Sequence, residues 1–274
     1  MDCIALLGAF QYLECIPTHY VACSGGSLIS ALLISGYRVE EIIEIFSTDV
    51  FVNSIDVKKI DINKALTRFG IWNTSKIFDE VEELIIAKLG EDITLSRFYE
   101  RTKVDLTIVG SNVSTKKAVY FNHRTHGEMS LIRCLKISCN IPLLFQAVKH
   151  DNEYYVDGGL YDIFPFKYAK SICKADENIV GICVKSYKKP QPIENISNFF
   201  FNFSLSVIET IINNTQFIDD DDVYTLDTSD VGVDVVSFFD TKTEKRKLIL
   251  RNLLQEGANQ CERMHLKRSL SKEK

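Results

Sequence analysis

The chain has 274 residues, with 32 Lys plus Arg against 37 Asp plus Glu and a net charge of −5. That length suffices for one large α/β domain or two small ones, each with a buried core. The mild acidity, without a basic stripe or arginine-rich run, excludes the electrostatic footprint of a nucleic-acid binder.

Apolar residues at 4, 5, 6, 7, 10, 12, 13 and 16 predict a first helix that Pro17 ends. The opening MDCIALLGAFQYLECI carries Asp2 and Glu14, no basic n-region and no small-residue cleavage site. It is not read as a secretory leader, and the expectation is an intracellular, cytoplasmic protein. HYVAC (19–23) is a short apolar strand, followed by Ser24 and a helix through LISALLISG that Gly36 closes. RVEEIIEIF (38–46) has an apolar stripe at helical spacing. IFDEVEELIIAKLG (77–90) is an amphipathic helix with glycine at its end, and TLSRFYERT (94–102) opens like another. VDLTIVGSNV (104–113), KAVYFN (117–122), EYYVDGG (153–159) and NIVGICVK (178–185) read as strands. Strands alternating with helices imply a three-layer α/β/α fold around a mostly parallel sheet.

Further on, YKKPQPIENIS (187–197) is a surface connection with two prolines. NFFFNFSLSVIETII (198–212) is interrupted by Asn202 and Glu209 and too short to span a bilayer, so a buried core helix is expected. IDDDDVYTLDTSD (218–230) lacks the glycine and spaced ligands of a calcium loop and reads as a solvated acidic turn. The charged HLKRSLSKEK (265–274) is expected to fray. With no composition break, residues 1–264 are read as one domain. The eight cysteines form no C-x-x-C pair and mostly occupy apolar runs. They read as buried free thiols, and no metal site or disulfide framework is expected.

Two short stretches carry the chemistry. In VACSGGSLISALL, Ser24 follows a strand and precedes a helix, with Ala22 two residues before it and Gly26 two after. This A-x-S-x-G pattern is one methyl group from the G-x-S-x-G elbow, in which a serine is exposed on a sharp strand-to-helix turn beside tightly packed neighbours. Serine is also a preferred helix N-cap, so on this stretch alone a capping role is the plainer reading. In YVDGGLYDIFPF, Asp157 ends a strand before Gly158 and Gly159. Aspartate before glycine is usually a turn residue. Yet the C-terminal ends of parallel strands converge on one crevice, where Ser24 and Asp157 would meet.

Together these stretches resemble the patatin-like phospholipase family, serine acyl hydrolases working through a Ser-Asp dyad. GAFQYLE (8–14) resembles the helix after that family's glycine-rich loop, HYVACSGGSLISALL its nucleophile elbow, and ISCNIPLLFQAV (137–148) leading into EYYVDGGLYDIFP (153–165) its aspartate block. The resemblance runs from Met1 to roughly residue 190. It implies Ser24 as nucleophile, Asp157 as general base, and the N–H of Gly25 as an oxyanion donor. Ala22 and Gly26 flank the elbow, and Gly158 and Gly159 let the chain turn beside the aspartate. It further implies a phospholipase A or lysophospholipase activity on membrane lipid esters, with no cofactor or metal, and peripheral membrane contact.

The family opens with a strand and a G-G-G-x-x-G loop that supplies the oxyanion hole, and neither has a counterpart in this sequence. Alignment sets Met1 directly after the triplet, with Asp2 at a usually basic position and Cys3 at the fourth glycine. Either Met1 is an internal methionine of a longer protein, or this is a shortened copy without catalysis. The survival of both Ser24 and Asp157 favours the first. A patatin-like pseudoenzyme that binds lipid or a partner is the rival reading. A Ser-His-Asp esterase would need one of the histidines at 19, 123, 126, 150 or 265, of which His123 and His126 lie in a polar loop and read as surface residues. Asp162 reads as a turn residue, and the phenylalanines between 199 and 203 as core.

Overall fold

A computed structural model describes residues 2–14, 16–53, 62–91, 93–185, 192–194, 196–214, 222–231, 238 and 241–272. In chain order its elements are α1 (Ile4–Leu13), β1 (His19–Cys23), α2 (Gly25–Ile34), α3 (Val39–Ser47), α4 (Asp49–Asn53), α5 (Ile62–Arg68), β2 (Gly70–Trp72), α6 (Ser75–Leu89), α7 (Leu95–Thr102), β3 (Asp105–Asn112), β4 (Lys117–Phe121), α8 (Leu131–Cys139), β5 (Leu143–Phe145), β6 (Val148–His150), β7 (Glu153–Asp157), a 3-10 turn (Gly158–Leu160), α9 (Phe166–Ile172), β8 (Gly181–Lys185), α10 (Ile196–Asn214), β9 (Val223–Asp227) and α11 (Thr243–Lys272). The expected strands at 19–23, 104–113, 117–122, 153–159 and 178–185 all form. The first helix stops at Leu13, where Glu14 turns left-handed with φ 49°, well short of Pro17.

The architecture is α/β, but the strand directions are mixed. β1 pairs parallel with β3 in register His19 to Asp105 through Cys23 to Val109. β4 and β7 both run antiparallel to β3, and β6 runs antiparallel to β7. The reason is local. His150 faces Glu153 across a two-residue loop, Asp151–Asn152, with φ of 48° and 63°. Two positive φ values in a two-residue loop make the hairpin turn whose twist matches paired strands, and it reverses the chain before the aspartate strand. The parallel pairs β2 with β5 and β8 with β9 lie in separate two-stranded sheets.

Register on β3 places the site. Residues 105–109 pair with β1 and residues 110–112 with β7. Val109 and Gly110 also pair with β4, which therefore occupies the opposite edge. β1 and β7 thus share one edge of β3 and meet head to head, Cys23 opposite Val109 and Asp157 opposite the adjacent Gly110. This meeting of opposed strands, rather than the convergence of parallel ones, is what unites residues 24 and 157. Helices α2 and α8 pack on this sheet, burying Leu32, Leu131, Leu135 and Ile137 completely.

Two expectations near the C-terminus need correction. Of the acidic run, residues 222–230 are described, and 223–227 form β9 with Val223 and Leu226 fully buried. Pairing with β8 overrides the local charge, and both faces of the strand are covered: Val223 points to one, Tyr224 and Leu226 to the other. The expected frayed tail is helical as far as Lys272. Two of its side chains have partners: His265 stands edge-on to the Tyr12 ring at 6.2 Å, and Arg268 lies over the Tyr224 ring at 4.5 Å. α1 and α11 cross at backbone contact. A Cβ on Gly8 would fall 1.8 Å from the Leu254 carbonyl oxygen, and one on Gly257 2.0 Å from that of Ala5.

α10 is also only partly a core helix. Phe200 and Leu205 pack on the main core, while Phe199 and Phe203 are 46% and 48% exposed. Among the described residues no helix is long and apolar enough to cross a membrane, and the described cysteines are free thiols, Cys134, Cys183 and Cys261 being buried.

Candidate active site

Ser24 stands between β1 and α2 with φ 51° and ψ −133° and makes no side-chain cap to the helix it precedes. Thr94 and Ser130, by contrast, cap α7 and α8 through their hydroxyls. A non-glycine residue holds a positive φ at a cost of order 1–3 kcal/mol, and persists there only if its surroundings dictate it. Here both backbone groups of Ser24 are fixed by buried serines. Its N–H donates to Ser138 Oγ at 2.9 Å, and its carbonyl accepts from Ser27 Oγ at 2.6 Å. The hydroxyl, freed from capping, donates to Asp157 Oδ2 at 2.5 Å. The capping alternative for Ser24 is thereby set aside.

Asp157, 2% exposed, is the last residue of β7. Its N–H donates to the Asn140 carbonyl at 2.8 Å. Its Oδ1 accepts from the Gly159 N–H at 2.8 Å and has Cys23 Sγ at 3.9 Å. Burial pushes the carboxyl up to about 6, against the opposing pull of the bonds from Ser24, Gly159 and Cys23. A group poised there is largely ionised at neutral pH yet more basic than an ordinary carboxylate. Burial also holds the neighbouring Cys23 and Cys139 thiols well above their usual range, so they stay protonated beside it.

The glycines serve packing rather than unusual torsions. A Cβ at Gly158 would lie 2.4 Å from the Val109 carbonyl oxygen, so only glycine lets the turn after Asp157 lie against β3. At the elbow the tight position is Gly25, whose Cβ would meet Cys3 Sγ at 2.8 Å. At Gly26 the nearest atom, Leu6 Cδ1, would be an ordinary 3.6 Å away. The steric demand thus falls one residue earlier than the G-x-S-x-G pattern suggests, because α1 leans on the first residue of α2. As the first residue of that helix, Gly25 has an N–H with no acceptor among the described residues.

Ser24, Gly25 and Gly26 open onto a cavity of about 900 Å³, at the upper end for small-molecule sites. Its walls are mainly apolar, among them Phe46, Phe78, Leu205, Ile208 and Ile212; Asp157 lies behind the serine and does not line it. Phe199 and Phe203 contribute nothing to these walls.

Among the described residues no histidine hydrogen-bonds to Ser24 or Asp157. His19 and His123 approach the buried Asp105 at 2.6 and 3.2 Å, together with Arg124 at 2.7 Å. This cluster marks the opposite end of β1 and β3, and His123, stacked on Tyr99 at 3.9 Å, is partly buried there rather than a free surface side chain. His126 contacts Thr125, His150 Arg133 and Asp151, and His265 Tyr224. Asp162 accepts from the Tyr120 hydroxyl at 2.6 Å. Sequence reasoning missed Ser27, Ser138 and Asn140. A polar residue inside an apolar helical run is the one trace they leave, and their partners are 114 and 17 residues away for Ser138 and Asn140.

The family model for the patatin-like phospholipases matches residues 1–170, a span that contains both Ser24 and Asp157. The chain belongs to the patatin-like phospholipase family. Among curated proteins, this patatin-like chain is 25% identical over 272 residues to the probable lipid hydrolase 463L of Invertebrate iridescent virus 6, covering 97% of this chain and 87% of that one. It is also 25% identical over 147 residues, 52% of this chain and 48% of the other, to the uncharacterized protein R571 of Acanthamoeba polyphaga mimivirus. Among solved structures, VipD from Legionella pneumophila superposes with a TM-score of 0.53 at 15% identity, over 96% of this chain and 64% of VipD. That likeness shows the shared fold. Membership in the family supports lipid hydrolysis as the general activity of this patatin-like chain.

Proposed function

We propose that the protein is a lipid acyl hydrolase of the phospholipase A or lysophospholipase type, with Ser24 as nucleophile and Asp157 as general base on one patatin-like unit spanning residues 1–264. The observation that carries this reading is a serine held at φ 51°, its hydroxyl 2.5 Å from a buried carboxylate, facing a large apolar cavity. Asp157 takes the Ser24 proton as Oγ attacks the ester carbonyl, and the Gly25 N–H and the N-terminal end of α2 stabilise the negative charge developing on the carbonyl oxygen. Collapse breaks the ester bond; Asp157 returns the proton to the departing alcohol or lysolipid oxygen, leaving acyl-Ser24. Water then attacks the acyl carbon, giving its proton to Asp157. The second collapse breaks the bond to Ser24 Oγ, Asp157 returns the proton to that oxygen, and the fatty acid is released with the serine restored. The cavity takes the acyl chain, and the substrate resides in a membrane that the protein touches peripherally.

Ser24→Ala and Asp157→Asn are each expected to lower the hydrolysis of a phospholipid or of a soluble carboxylic ester at least ~10³-fold, with the far-UV circular dichroism unchanged. Turnover persisting in either purified variant would sink the dyad. Lipid binding without hydrolysis by the unaltered chain would favour the pseudoenzyme reading instead.

A further inference from the structure

α10 has two apolar faces, and the cavity uses one of them. Leu205, Ile208 and Ile212 recur at i, i+3 and i+7 and line the cavity. Ile196, Phe199 and Phe203 repeat the same spacing and are 51%, 46% and 48% exposed. At 100° per residue the two stripes point in nearly opposite directions. The outer stripe continues into Ser206 and Thr210, so it is apolar over the first two turns and polar beyond. Ile193, just before the helix, is 60% exposed, and Leu143 of β5, against which α10 packs, is 36% exposed.

We infer that this stripe, with Phe199 and Phe203 at its centre, is the surface by which the protein seats itself on lipid, immersing the first two turns of α10 in the interface. The inference rests on the lipid-hydrolase reading and assigns its membrane contact to named residues. Residues 195–208 carry no charge, and the whole chain carries −5. Attraction to anionic headgroups is therefore not the driving force; withdrawal of aromatic and aliphatic surface from water is. The same helix walls the acyl cavity on its inner side and packs against the turn that follows Asp157. One helix thus carries the exposed apolar stripe on its outer side and a wall of the acyl cavity on its inner side, a continuity from which a water-soluble partner would gain nothing.

The test uses the full chain and vesicles of phosphatidylcholine, which carry no net charge. Co-sedimentation is measured for the unaltered protein and for Phe199→Asp/Phe203→Asp, alongside hydrolysis of p-nitrophenyl butyrate, a soluble ester that requires no membrane. Two half-exposed rings predict a loss of vesicle partitioning of at least ~50-fold in the double variant, with butyrate hydrolysis unchanged and binding of the unaltered chain insensitive to salt. As a second variant, Phe199→Trp is expected to shift its emission to the blue on vesicle addition after subtraction of the signal of the unaltered chain, whose Trp72 lines the cavity. Equal vesicle binding by the unaltered chain and the double variant, or an unshifted emission from the Phe199→Trp protein, would overturn the inference. So would loss of a dimer in the double variant with vesicle binding intact. Absence of butyrate hydrolysis in every form would count against the hydrolase reading and leave the vesicle comparison to be judged separately.

Discussion

Ser24 and Asp157 have environments that act in opposite directions on stability and chemistry. The carboxyl of Asp157 is raised from about 3.8 to about 6 because burial disfavours its charge more than its hydrogen bonds favour it. Between those two pH values the folded protein retains a proton that the unfolded chain has released. This group's contribution to stability therefore falls as pH rises through that window, leaving a penalty of roughly 3 kcal/mol above it. Asp157→Asn should remove the penalty: at pH 8 its thermal midpoint should exceed that of the unaltered chain by several degrees, and near pH 4 the gain should vanish. A midpoint unchanged or lowered at pH 8 would show that the carboxylate is not strained by burial. As the proposed general base, Asp157 acts only when ionised, so kcat/KM should climb with pH about a midpoint near 6 and level off by pH 8. A midpoint near 4 would contradict the shift. In the sequence, the stretches around Ser24 and Asp157 taken alone read more plainly as a helix cap and a turn; it is their joint occurrence in the order of the patatin-like family that singles out the two residues. The bonds to Ser138 and Asn140 are not legible there, because a hydrogen bond across the fold has no local pattern, and Ser27, three residues from Ser24, reads locally as one more polar residue in α2.

Among the elements, those defined by their own periodicity were readable, and those defined by a partner were not. β1 is a bare apolar run bounded by Pro17 and Ser24, and the structure ends it at the expected residue. The direction of β7 depends on Asp151 and Asn152, a two-residue turn whose signal lies in KHDNEYY but yields a hairpin only once β6 is recognised as a strand. α11 is the clearest case. Its closest approach to α1 is at Gly8 and Gly257, beside the small residues Ala5, Ala9 and Cys261, yet it is the buttress behind the helix that supports Gly25 through Cys3. Gly8→Val should therefore destabilise the protein by at least ~3 kcal/mol, since the neighbour is backbone and cannot move aside. Gly26→Ala, with only Leu6 at contact distance, should leave the thermal midpoint within about 2 °C and preserve hydrolysis. Thermal unfolding of the two variants decides this. A stable Gly8→Val protein would mean that the two helices can part without loss of the fold.

At the scale of the whole molecule, the dyad occupies the junction between a head-to-head strand pair and an apolar cavity that α10 walls. On the proposed mechanism this arrangement divides the work: β3 fixes Ser24 and Asp157 by register, and the helices around the cavity select the acyl chain that reaches them. Ile208→Trp, which fills part of the cavity, should lower kcat/KM for a p-nitrophenyl palmitate at least ~10-fold relative to the butyrate. An unchanged ratio would place the acyl chain elsewhere. The central claim is that Ser24 is an activated nucleophile, and intact-mass analysis after treatment with a fluorophosphonate probe tests it most directly. The account predicts a single adduct on the unaltered chain and none on Ser24→Ala. No adduct on the unaltered chain, or one that persists in Ser24→Ala, would contradict it.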